Sequence, residues 1–363
     1  MTQYYLLAKD GIPNFSQEST SDWFMLSYTP KVNWDLPVPP AELARKFYFV
    51  DHQTVLRTEL QVVLANVGVP SVEGAENAVE FAIGLLRLAA EVEHALMVQY
   101  LYAAFSVANG PAVDGINYRE KILDVAIQEM GHLATVQNIL ILLGGPEAVY
   151  MQRDVMRQAS AKNPIPFVLE PISLAALAKY VAAEKPAVVP ADVAEKVDRL
   201  VKLAAESVGG DTHRVGAIYG VLQSLFDTGE RILPELAHLP FNPRLNDADL
   251  RPKQEVSAYQ ATREEWEADE NSFLLIEAFD CASAQAAISQ IAEQGEGLSD
   301  RSDSHFSEFL EMAEAYEQGP LRDMVTDLPI SPTLGAHGGE GEHLLRILTP
   351  RFGAGYLACN TAR

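Results

Sequence analysis

Three residues carry the chemistry that this sequence most plainly offers: Glu93 in AEVEHALMVQY, and Glu129 and His132 in VAIQEMGHLATVQ. Glu129 and His132 are spaced i, i+3, which on a helix sets them on one face, a turn apart. The apolar stripe Ile122, Ala126, Leu133, Val136 and Leu140 runs through the same face. Glu93 falls on a second such stripe, formed by Leu86, Ala89, Ala90, Met97 and Tyr100. A carboxylate on an apolar helix face is costly unless something compensates its charge. Hard oxygens and an imidazole nitrogen aimed at one point suit iron or manganese, so Glu93 opposite Glu129-x-x-His132 makes half of a metal site. The competing reading is a buried His–Glu hydrogen bond with Glu93 elsewhere. His94 is expected to face sideways and give an outer hydrogen bond. A shift of one position would exchange its role with that of Glu93.

Such residues need long helices to carry them. One is expected over residues 78–107 and the next over 117–143, where Gly144-Gly145 is a strong stop. Their lengths suit adjacent antiparallel bundle helices. An earlier helix is expected from Glu42 to about Ala65, ended by GVP. Shorter helices follow in SLAALAKYVAAEKP, which must end before Pro186, and from Pro190 to Ser207. A third long helix starts near Thr212 and reads HRVGAIYGVLQSLFDTGERILPEL. FLLIEAFD reads as a strand or a buried extended segment. A last bundle helix comes in two parts, SAQAAISQIAEQ and SHFSEFLEMAEAYEQG, with GEGLSDRSD between them.

Composition narrows the function classes. A hydrophobic fraction of 48% in 363 residues supports a substantial core. The formal charge of −23 and the lack of a basic patch argue against nucleic acid and anionic membrane as partners. Every long apolar stretch is interrupted by polar residues, so no membrane span is expected. Lys9 and Asp10 fall where a secretory signal would need an apolar run, and a cytoplasmic location is the default expectation. Cys281 and Cys359 form no CxxC pair and disfavour a thiolate-rich metal site. There is no Walker loop, Rossmann fingerprint or GxSxG elbow. GGEGEH at 338–343 reads as a Gly-rich loop and lacks the HExxH pattern.

AEVEHALMVQYLYAAFS followed by VAIQEMGHLATVQNILILLGGP resembles the ferritin-like domain of iminophenylpyruvate dimer synthases, the group that includes violacein and related bisindole pathway proteins. The resemblance continues through NPIPFVLEPISLAALAKYVAAEKP, RVGAIYGVLQ, AISQIAEQGEG and SHFSEF, and spans roughly residues 76–315. It implies a mainly α fold, a ferritin-like four-helix bundle with long insertions and peripheral helices. The chain then divides into an irregular N-terminal wrap (1–45), an elaborated ferritin-like domain (46–325) and a Gly/Pro-rich C-terminal tail (326–363).

The resemblance implies metal-ligand roles for Glu93, Glu129 and His132, and makes Glu296 and His305 candidates for the opposite side of the site. Glu293 is the weaker choice, being off the stripe Ala284, Ile288, Ile291. His305 also reads as a satisfied histidine at a helix start. Relatives often carry an acidic residue where this chain has Ala217, which leaves a symmetric diiron set incomplete. His213, one turn earlier, could compensate or serve as a cap. The implied cofactor is iron, mono- or dinuclear, with manganese as a second fit. The implied activity is O2-dependent oxidation of a small amino-acid-derived or specialised metabolite. The alternative is a non-catalytic metal-binding or scaffold protein. Tyr100, Tyr102 and Tyr219 lie near the expected core. Tyr100 and Tyr219 are the candidates to orient an intermediate, bind substrate or pass electrons, against ordinary packing roles. Expected partners are a small-molecule substrate, a redox partner and further copies of the chain.

Overall fold

The computed structural model describes Val32–Leu36 and residues 69–330, apart from 73, 111, 114, 152–166, 187, 211, 213, 228–235, 237–238, 267–273 and 297–303. The expected helix from Glu42 to Ala65, most of the N-terminal wrap, His213, the 338–343 loop and the tail beyond 330 lie outside the described residues.

Two long helices dominate. Helix α1 (Ala78–Phe105) starts at Asn77, whose side chain accepts the Glu80 N–H. It ends at Ser106, whose hydroxyl donates to the Ala103 carbonyl and accepts the Ile172 N–H. Helix α2 (Tyr118–Gly144) is capped in the same way by Asn117 and stops at Gly145, where φ is +81° and glycine is strongly favoured. α1 and α2 pack along their lengths.

Helix α3 (Leu174–Glu184) begins at the Ser173 cap and ends where Lys185, preceding Pro186, turns extended. Helix α4 (Ala194–Val208) packs against it and is closed by Gly209 at φ +70°. Helix α5 (Gly216–Phe226) is shorter than the sequence pattern suggests, because the helix breaks at Asp227. Two single-turn helices follow, α6 (Lys253–Val256) and α7 (Arg263–Trp266), in the polar peripheral stretch. Helices α8 (Cys281–Glu296) and α9 (His305–Gln318) complete the set.

The bundle closes as a ring of contacts: α1 on α2, α2 on α8, α8 on α5, and α5 back on α1. The mainly α, bundle-like expectation with peripheral helices is met. The last helix comes in two parts as expected, α8 and α9, and α9 packs chiefly against α3 and also touches α8 and α2. β1 (Val32–Leu36) and β2 (Val69–Val72) add a two-stranded antiparallel ribbon, and Val72 seats against Gly84 of α1. No helix among the described residues is long and apolar enough to cross a membrane.

The FLLIEAFD stretch, as far as it is described, forms no strand and runs half-buried, with Leu275 and Ala278 turned into the interior. Polar residues of α2 hold it: Thr135 donates to the Leu274 carbonyl and accepts the Ile276 N–H, while Asn138 donates to the Ile276 and Ala261 carbonyls. Gly131 makes the approach feasible, because a Cβ there would sit 2.5 Å from the Leu274 carbonyl oxygen.

Candidate metal centre

Five ionisable side chains meet in the interior, and each is at least 98% buried: Glu93, Glu129, His132, Glu184 and His305. α1 supplies Glu93, α2 supplies Glu129 and His132, α3 supplies Glu184 at its last residue, and α9 supplies His305 at its first. Glu129 lies at the centre. Its Oε2 is 3.1 Å from His132 Nδ1, and its Oε1 is 3.0 Å from His305 Nδ1. Glu93 Oε2 lies 3.4 Å from His132 Nδ1 on one side, and Glu184 Oε2 lies 3.9 Å from His305 Nδ1 on the other. The imidazole centroids are 5.3 Å apart.

Both outer carboxylates are anchored by phenols. Tyr219 of α5 donates to Glu93 Oε1, and Tyr100 of α1 donates to Glu184 Oε1 at 2.6 Å. Each anchor leaves the second oxygen of its carboxylate toward the cluster. Tyr100 is itself wedged between Tyr180 and Phe309, at 4.8 and 4.7 Å between ring centroids. Both imidazoles are anchored through Nε2, His132 to Gln294 Oε1 at 2.9 Å and His305 to Gln128 Oε1 at 2.8 Å. An amide oxygen only accepts, so each Nε2 carries a hydrogen. Both Nδ1 atoms therefore face the carboxylates, the orientation a ligating histidine needs when its other nitrogen is fixed by an outer partner.

The electrostatics without a cation are frustrated. Burial and the Glu129 charge push Glu93 up to about 8, and raise Glu184 well above the carboxylate range. Burial also works against ionised Glu129, but His305 beside it and the hydrogen bond with His132 hold it well below the usual value. Burial would lower His132, yet its hydrogen bond with Glu129 and the nearby Glu93 carboxylate raise it to about 10. Burial lowers His305 despite the adjacent Glu129. Glu93 Oε2, Glu129 Oε1 and His305 Nδ1 are buried without a hydrogen-bond partner. Glu129 Oε1 and His305 Nδ1 are 3.0 Å apart yet not aligned to bond each other. Donor atoms that crowd together without satisfying one another fit a cation shared among them. Atoms of Glu129, His132 and His305 lie within 4.8 Å of one another, close enough to hold one ion.

A cavity about one water molecule in size is lined by Glu93, Glu129, His132 and Glu184. Leu96, Val215, Ile291 and Ala292 give it apolar walls, and Gly216 and Gly295 keep it open. A carboxylate–imidazole set beside such a cavity suits an iron or manganese ion with a position free for a small ligand.

The structure thus gathers Glu93, Glu129, His132 and His305, with Tyr100 and Tyr219 each donating to an outer carboxylate. Glu296 closes α8, but its side chain lies outside the described residues, as does that of Ala217. Glu293 is not among the residues around the cavity, whereas its neighbour Gln294 reaches His132. Tyr102 is turned away and donates to the Pro329 carbonyl. Sequence reading missed Glu184, Gln128 and Gln294. Glu184 was findable, because Leu177, Tyr180, Val181 and Glu184 form the same stripe spacing that singled out Glu93.

Residues 86–314 match the family model described as Ferritin-like. The chain is 32% identical over 132 residues to the 2-imino-3-(indol-3-yl)propanoate dimerase of Chromobacterium violaceum, a stretch covering 29% of this chain and 13% of that protein. It is 23% identical over 340 residues to the dichlorochromopyrrolate synthase of Lentzea aerocolonigenes, covering 82% of this chain and 32% of that protein. The chain spans less than a third of the length of either relative. No solved structure matches.

Proposed function

The chain belongs to the ferritin-like family, and from that premise we propose that it is an iron-dependent oxidoreductase that uses dioxygen to oxidise a small amino-acid-derived metabolite. One observation carries the reading: Glu129 sits between two imidazoles and offers one oxygen to each Nδ1, inside a buried cluster with orphaned donor atoms. Divided about Glu129, the donors make places for two ions, one toward His132 and Glu93 and one toward His305. Manganese suits the same oxygen and nitrogen donors.

Iron held there would supply the redox chemistry toward dioxygen. The chain's own residues set the conditions for it. Tyr219 fixes the direction of Glu93, and Gln294 and Gln128 fix the two imidazoles, so little reorganisation accompanies ligation. Leu96, Val215, Ile291 and Ala292 limit bulk water at the cavity. The relatives' names, a dimerase of 2-imino-3-(indol-3-yl)propanoate and a dichlorochromopyrrolate synthase, support an amino-acid-derived imine or a compound made from one as substrate class. A cavity of this size admits a diatomic gas more readily than an indole, which supports a reading in which the organic substrate binds outside it.

The test is metal analysis of protein purified without chelator, alongside the Glu129→Ala/His132→Ala variant, followed by oxygen uptake with aromatic 2-imino acids. Iron content unchanged in the variant would overturn the site. Iron lost in the variant, with no oxygen uptake by wild type, would favour the alternative of a non-catalytic metal-binding scaffold.

A further inference from the structure

Glu184 comes from α3, outside the ring of four helices, and nothing in the i, i+3 motif of α2 calls for it. We propose that Glu184 is a metal ligand, the outer carboxylate for the ion on the His305 side, positioned for that role by Tyr100. The inference rests on the two-ion reading above and adds a ligand to it.

Four observations converge on this role. The cluster has a matched outline about Glu129: His132 with Glu93 on one side, His305 with Glu184 on the other. Each outer carboxylate receives one phenol and turns its remaining oxygen toward an Nδ1. Both outer carboxylates also line the cavity with Glu129 and His132. Finally, Gly295 of α8 gives Glu184 its room, because a Cβ there would come within 3.3 Å of Glu184 Oε2.

The placement of Glu184 makes little sense without a cation. It is the last residue of α3, where the helix dipole disfavours negative charge. It is 2% exposed, and among the described residues the ion-pair contact recorded for it is with His305. Tyr100 fixes it through Oε1, and Oε2 is turned to the imidazole at 3.9 Å, beyond hydrogen-bond distance. A second ion between Glu129, His305 and Glu184 would compensate the charge these carboxylates carry as ligands and occupy the direction in which Oε2 points.

The experiment is anaerobic titration of the metal-free full chain with Fe(II) and, separately, Mn(II). Ions per chain are counted after desalting, and spin coupling is read from the Mn(II) spectrum. Wild type is expected to take up two coupled ions. Glu184→Gln, whose amide oxygen still accepts from Tyr100, is expected to weaken one ion about 100-fold and leave an uncoupled ion in the other place. Tyr100→Phe, which keeps the ligand but frees its orientation, is expected to weaken the same ion about tenfold, and serves as the second test should Glu184→Gln melt early. Two ions bound by Glu184→Gln with wild-type affinity would overturn the ligand role and leave the metal centre standing. One ion in wild type, retained unchanged in Glu184→Gln, would also overturn it. Wild type that binds none would overturn the metal centre and the ligand role together.

Discussion

Metal uptake by this cluster should be strongly linked to protons. Without an ion, Glu93 is pushed up to about 8 and His132 to about 10, so both hold a proton at neutral pH. A cation entering between them must displace one proton from each, two in all. Burial and the Glu129 charge raise Glu184 as well, in the direction that adds to the release if it ligates. Burial shifts His305 the other way, against its charged form. Well below its pKa, each displaced proton raises the logarithm of affinity by about one per pH unit, or ~1.4 kcal/mol. Between about pH 6 and 7, apparent affinity should therefore climb about 100-fold from Glu93 and His132. Anaerobic competition between the protein and a chelating dye for Fe(II) or Mn(II) gives the slope. Calorimetry in two buffers of different ionisation enthalpy counts the protons released. Glu93→Gln removes one titrating group, so its slope should be lower by about one. A wild-type slope below one proton per chain would refute the reasoning, because neither Glu93 nor His132 would then be protonated before the ion arrives.

Other outcomes follow from the same geometry. The metal-free protein should lose stability as pH rises. Glu93 has a folded value of about 8 against 4.5, so its contribution is full below 4.5 and lost by about 8; His132, about 10 against 6.5, loses its own from 6.5 upward. Thermal melts should fall between pH 6.5 and 8 without metal and not with it; a flat metal-free profile would contradict these shifts. Tyr219→Phe leaves Glu93 Oε1 without its donor, and should cost about 1–3 kcal/mol in denaturant unfolding. Unchanged stability would mean that another donor replaces the phenol. Gly131→Ala drives a methyl into the Leu274 carbonyl, and about 1–3 kcal/mol of destabilisation is expected by the same method. Phe309→Ala removes the fully buried ring that backs Tyr100 and Tyr180, and should lower stability by about 3–5 kcal/mol, with weaker metal retention as a second readout.

Much of the architecture was legible along the chain. The two longest helices begin and end within about two residues of where their caps and glycines place them, because capping and φ-positive stops are local interactions. The inward faces of those helices were legible for the same reason, and they led directly to Glu93, Glu129 and His132. The third long helix was over-extended. Its apolar period continues past Phe226, but the chain leaves the helix at Asp227, whose carboxylate pairs with Arg244. His305 entered through family resemblance alone, since one histidine at a helix start carries no periodic signal of its own. α3 was legible as a short amphipathic helix, but nothing along the chain tells which face of it meets the metal-site helices, which is why spacing alone does not place Glu184 in the site.

The sequence by itself determined which residues share a face: Glu129 with His132, Glu93 with its apolar stripe, and Glu184 with Leu177 and Tyr180. That information is contained in the helical repeat of about 3.6 residues and needs no partner. Only the tertiary structure decided which faces meet. α9 lies against α3 rather than extending α8, which brings His305 to Glu129 and sets Glu184 beside it. The same packing delivers Tyr100 to Glu184, Tyr219 to Glu93, and two glutamines to the two imidazoles. Helix pairing depends on side-chain complementarity between distant segments and on loops without a repeating pattern, so neither spacing nor composition encodes it in readable form.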